Sequence, residues 1–190
     1  MNKMYHAISA DAFNKIQFQA GAFLKTFDPT GKTAIKAEDM IALTSGGITA
    51  SCKPNTVDLF DDVDEMPPNT KQGKHITSWD CAMSATLLTY NTDTTKLTIG
   101  AADVDTSTGK VTVRDDYKDA DFGDIWWHGN MLGGGYAAIH LLNAVSDSGF
   151  ELKTSKDGKG NLSLSLKGHY DAADTSKVPM EFYIKDKSEE

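Results

Sequence analysis

Alternation of apolar and polar residues is the feature that most limits what this chain can become. In "NLSLSLKG", Leu162, Leu164 and Leu166 fall on one side of an extended backbone, and Ser163, Ser165 and Lys167 on the other. "HITSWDCAMSATLL" repeats the pattern, with Trp79, Cys81, Met83, Ala85 and Leu87 opposite Asp80, Ser84 and Thr86. "GITASCKP" sets Ile48, Ala50 and Cys52 against Thr49, Ser51 and Lys53, and "VPMEFYIK" brings Met180, Phe182 and Ile184 together. Such one-sided strands suit antiparallel sheets with one wet face. The expected fold is mainly β: two packed antiparallel sheets, a sandwich or open barrel, with one short flanking α-helix.

Local signals fill in this outline. Asp157-Gly158 supplies the residues of a tight turn, so 149–156 should pair antiparallel with 160–169. "YAAIHLLNAV" reads as a strand entered from a turn at Gly133-Gly134-Gly135, and "KVTVRD" as a short strand after a turn at 107–109. "NTDTTKLTIGAADV" opens on the capping residues Asn91, Thr92 and Asp93, which predicts a short helix near 93–102.

At 190 residues the chain is expected to form one domain, large enough to need no disulfide or metal. No apolar run approaches the ~18 residues of a membrane span. The first twenty residues lack the apolar core of a signal peptide, so synthesis and folding in a cytoplasm are expected. Cys52 and Cys81 lie inside strands and are read as small buried hydrophobes. A net charge of −8 argues against a surface that grips nucleic acid by counterion release.

Several fragments imitate catalytic or ligand-binding motifs and fail on spacing. "TGKT" lacks the glycine five positions before Gly31 that a phosphate loop requires, since Thr26 stands there. Asp103, Asp105 and Ser107 are spaced like a calcium loop, but its sixth and twelfth positions hold Thr108 and Arg114 instead of glycine and glutamate. His6, His75, His128, His140 and His169 are scattered, and no serine or cysteine sits in a Gly-x-Ser-x-Gly context. No enzyme activity, metal or cofactor is expected. Trp126 and Trp127 are adjacent in a strand and face opposite sides, so one is expected in the core and the other free as an interface anchor or ligand platform.

The segment "DDVDEMPPNTKQGKH" interrupts two good strands with the carboxylates of Asp61, Asp62, Asp64 and Glu65, the pair Pro67-Pro68, and Lys71 and Lys74. The carboxylates suit a cation site or acid–base pair, or more plainly a solvated loop. A long polar connection in a compact fold is usually put to use.

In order and spacing, "AGAFLKTFD", "TSGGITASCKP", "NTKQGKHITSWDCAMSATLL", "LTIGAADV", "DFGDIWWHGNMLGGGYAAIHLLNA" and "GKGNLSLSLKGHY" resemble the tail tube proteins, or major tail proteins, of tailed phages and prophages of Gram-positive bacteria. The similarity runs from about residue 18 to residue 184. It implies a structural virion protein that self-assembles into hexameric rings, stacked as a tube around a tape-measure protein. It further implies contact with a tail tip or initiator complex, assembly in the host cytoplasm, and a channel that conducts DNA without binding it. Ring and stack contacts would use an N-terminal arm (1–18), the loop 60–75 and a C-terminal tail (185–190). On this reading Asp61, Asp62, Asp64, Glu65, Pro67, Pro68, Lys71 and Lys74 reach a neighbouring subunit, and the prolines reduce the entropy lost on docking. The alternative is a monomeric β-sandwich module that holds carbohydrate on Trp126 or Trp127.

Overall fold

The computed structural model describes Ser9 and residues 11–187; His6, most of the expected N-terminal arm and residues 188–190 of the expected tail lie outside them. A helical turn, α1 (Asp11–Asn14), leads into ten strands: β1 (Gln17–Leu24), β2 (Thr44–Asp58), β3 (Lys74–Leu87), β4 (Ala102–Asp105), β5 (Lys110–Val113), β6 (Gly123–Met131), β7 (Tyr136–Ser146), β8 (Glu151–Lys153), β9 (Asn161–Lys167) and β10 (Met180–Lys185). Helix α2 (Thr92–Ile99) separates β3 from β4. Among the described residues, eight strands form one antiparallel sheet in the order β1-β6-β7-β9-β3-β2, with β10 on β7 and β8 on β9; β4 and β5 pair apart, and no closed barrel forms among them.

Strand β7 joins the two halves of this sheet. Its first part pairs with β6 on one side and β10 on the other, whereas Val145 and Ser146 pair with β9. Just before the second stretch, where the β6 pairing shifts register between Ile125↔Leu141 and Gly123↔Ala144, Asn143 adopts φ 47, and its N–H donates to Asp124 Oδ1 (3.1 Å). A left-handed residue bends the strand here, which is how one strand serves two packed layers. The core between the halves contains Phe23, Ile125, Trp127, Leu141 and Met180 from one side and Cys81, Met83, Leu87, Leu162, Leu164 and Leu166 from the other. The alternation in β3 and β9 therefore has the expected meaning.

Four local expectations change. The helix covers Thr92–Ile99, capped by the Asn91 side chain accepting from Thr94 N–H (2.8 Å); Gly100 closes it, and Ala102 already belongs to β4. Pairing of β8 with β9 is present, but β8 has only three residues and the connection 154–160 is a longer loop. Gly158 is not among the glycines with positive φ, so the tight Asp-Gly turn is absent. All three β8 side chains are exposed, so nothing buried prolongs this edge strand. Finally, Met180 is buried while Phe182 and Ile184 are 58% and 72% exposed, because the opposite half does not reach over the far end of β10.

Candidate functional site: a projecting hairpin arm

Strands β2 and β3 pair from Thr44↔Leu87 to Asp58↔Lys74. Their inner rungs carry the core residues Cys81, Met83 and Leu87. Beyond Pro54↔Trp79 the hairpin leaves the core, and Asn55, Thr56, Val57, His75, Ile76 and Thr77 are all exposed. Pro54 is tolerated because β2 is the end strand of the sheet, where a missing N–H breaks no interior ladder. On the other side, β9 stops at Ala82↔Lys167, and the Tyr170 hydroxyl accepts from the Trp79 N–H (2.8 Å). The product is an arm with two solvated faces.

Its tip spans residues 59–73, with Lys74 and His75 already in β3 rather than in the loop. One carboxylate organises it: Asp58 Oδ1 accepts from Phe60 N–H and Oδ2 from Asn69 N–H, each at 3.0 Å. The Leu59 N–H bonds Gly73 O (2.9 Å), and the Thr70 hydroxyl bonds Pro67 O (2.7 Å). Half-buried Phe60 lies over Gly73, where a Cβ would stand 2.7 Å from its ring and 2.6 Å from Asp58 Oδ1. Sequence reading missed this Asp58–Phe60–Gly73 knot. The signal was an aspartate at a strand end two residues before Phe60, a local acceptor for a turning backbone.

The knot leaves the expected contact residues facing out. Asp61, Asp62, Asp64, Glu65, Pro67, Pro68, Lys71 and Lys74 are all exposed. Among the described residues, none of these four carboxylates and neither lysine makes a side-chain hydrogen bond or ion pair. Leu59, Val63 and Met66 interleave with them at 58%, 45% and 40% exposure. The tip thus presents free charge and apolar surface together.

Trp126 and Trp127 behave differently from expectation. Both are buried, at 8% exposure each. Trp127 faces the core, and its indole N–H donates to Ala20 O (3.0 Å). This bond needs the bulge in β1 at Gly21, whose φ is 77 and where a Cβ would sit 2.4 Å from the indole nitrogen. Trp126 points outward but stacks on His140 (3.8 Å, 7°) and lies against Phe27 and Tyr183. The β1–β2 connection covers this face, tied down by the Tyr136 hydroxyl donating to Pro29 O (2.6 Å) and by Lys185 Nζ donating to Thr30 O (3.1 Å). A crossing loop, invisible to strand periodicity, buries the second tryptophan. Neither ring is left as a platform.

The remaining polar clusters serve the fold. Hydrogen bonds from Ser107 and Thr108 hold the Asp105 carboxyl down to about 2, and those from Thr30 and Thr33 do the same for Asp28. Both are turns. Asp121, with a 1% exposed side chain, bonds Arg114 and Lys118 N–H and lies 3.6 Å from Lys96 Nζ. Burial pushes its carboxyl up, and these donors and cations outweigh it to leave the group below the ordinary 3.8. The cleft beneath α2, about 380 Å³, is lined by Ile41, Leu97, Ile125 and Val145, and the lysines at its mouth already pair with Asp93 and Asp121. Among the described residues, no group of three or more metal-ligating side chains converges, and no helix is long and apolar enough to cross a membrane.

No protein-family model and no curated protein matches this chain.

Proposed function

We propose that this chain is the structural subunit of a phage tail tube, self-assembling into stacked rings that conduct DNA around a tape-measure protein. The observation that carries the reading is the hairpin arm, which leaves the core and ends in unpaired charges among exposed Leu59, Val63 and Met66. In a lone chain those three side chains stay in contact with water. Covering what remains exposed of those three side chains in a neighbour contributes roughly 1 kcal/mol each, multiplied around every ring. Phe182 and Ile184 on β10 offer a second uncovered apolar strip. The net charge of −8 suits a conduit for a polyanion, since like charge repels phosphates over about 8–10 Å at physiological salt. The sugar-binding alternative loses its support with both tryptophan rings covered.

Negative-stain electron microscopy across a concentration series, with light scattering for mass, tests the proposal. Rings or hollow tubes of constant width are expected. A monomer that persists at every concentration, and also when a tail-tip complex is added as nucleus, overturns it.

A further inference from the structure

The β2–β3 register sets Cys52 directly opposite Cys81, with the two sulfurs 3.3 Å apart. Directly opposed antiparallel residues have Cα separations of about 4.5 or 5.5 Å, and both values lie within the range a disulfide spans. Closure to a bond of about 2.05 Å asks each side chain for only a small rotation. The pair stands close to where the arm leaves the core: Cys81 is fully buried in the core cluster, Cys52 packs against it from a partly exposed position, and Pro54↔Trp79 lies two rungs outward.

We propose that Cys52 and Cys81 form a closable thiol pair that a low-molecular-weight disulfide, such as oxidised glutathione, converts into a cross-strand clamp at the base of the arm. Cys52, the thiol within reach of solvent, attacks one sulfur of the glutathione disulfide as thiolate. That S–S bond breaks, and the first glutathione departs and takes up the proton Cys52 gave up. Cys81 then loses its proton and displaces the second glutathione, which leaves carrying that proton. Two protein thiols are oxidised and one small-molecule disulfide is reduced. Burial first, and then the neighbouring Cys52, push the Cys81 thiol up to about 12, which makes it a poor initiator. As second nucleophile it is held beside its target, and position compensates for acidity.

In a reducing compartment the pair stays as two thiols, and it closes where small disulfides accumulate. The cross-link encloses residues 53–80, the whole of the arm, and fixes the rung from which the arm projects. Closure involves only Cys52 and Cys81 and is independent of what the arm contacts.

The test is to reduce the purified chain, remove the reductant, expose it to oxidised glutathione and trap the remaining thiols with N-ethylmaleimide. Intact mass and peptide mapping should then find a chain lighter by two hydrogen atoms, without adducts, and linked between the peptides of Cys52 and Cys81. The thermal midpoint of that form should rise by several degrees and fall back when a dithiol reductant is added. The variant Cys52→Ser should take up no glutathione. Two maleimide adducts per chain, a glutathione retained on Cys52, a Cys52–Cys52 dimer or an unchanged midpoint would each overturn the clamp. Uptake by Cys52→Ser at the parent rate would overturn the assigned order of attack.

Discussion

Replacing residues 59–73 with Asn-Gly separates what the arm tip does for the chain from what it does for an assembly. Asp58↔Lys74 is the last rung, so a two-residue turn can join the strands without altering the register. Shortening a loop from roughly fifteen residues to two removes closure entropy worth about 2 kcal/mol by the logarithmic law, an upper bound for so short a turn. Against this stands the loss of half-buried Phe60, about 1 kcal/mol of apolar burial. Tip hydrogen bonds such as Thr70 to Pro67 are local and lost together with the residues that make them. The net change is within about 1 kcal/mol, so urea midpoint and slope should stay close to the parent's. Assembly should vanish in the same preparation, read by light scattering and microscopy. A stability loss above about 2 kcal/mol would show that the tip belongs to the chain's own core. Tubes formed at the parent's concentration would refute the arm as the docking element.

Other perturbations probe the scaffold. Leu164→Ala, at a site 1% exposed between the two halves, should cost about 2–5 kcal/mol in urea unfolding, and a cost below about 1 kcal/mol would mean the halves are not packed there. Gly21→Val forces a side chain into positive φ and onto the Trp127 indole, so tryptophan emission should shift to the red and stability should fall; an unchanged spectrum would contradict the bulge. Asp121 has a folded-state pKa below its ordinary 3.8, so it adds stability above that value and loses it as pH falls through the lower folded one. The parent should accordingly exceed Asp121→Asn in stability at neutral pH, and the gap should close in acid; a gap constant with pH would refute the assignment.

Strand period told which faces of β3 and β9 were apolar, because an extended backbone alternates sides whatever surrounds it. The same logic placed Met180, Phe182 and Ile184 on one face correctly, yet could not say that only Met180 would be covered. Coverage depends on how far the opposite layer extends. The Asn91 cap was legible since its partner lies three residues away, and the helix end was not, since Ala101 and Ala102 suit helix and strand alike. Within the arm, the free carboxylates and lysines were visible as a polar run between strands. The Asp58–Phe60–Gly73 knot was overlooked because it joins the two ends of that run.

The sequence by itself therefore determined an antiparallel β fold, one short helix and a long polar connection between two strands, all consequences of local periodicity and turn chemistry. Tertiary structure decided that β7 bends at Asn143 to serve both layers and that Cys52 meets Cys81. It also decided that the β1–β2 connection closes over Trp126. Each of these brings together residues distant in the chain, and their meeting is fixed by register and layer packing rather than by any pattern a single segment carries.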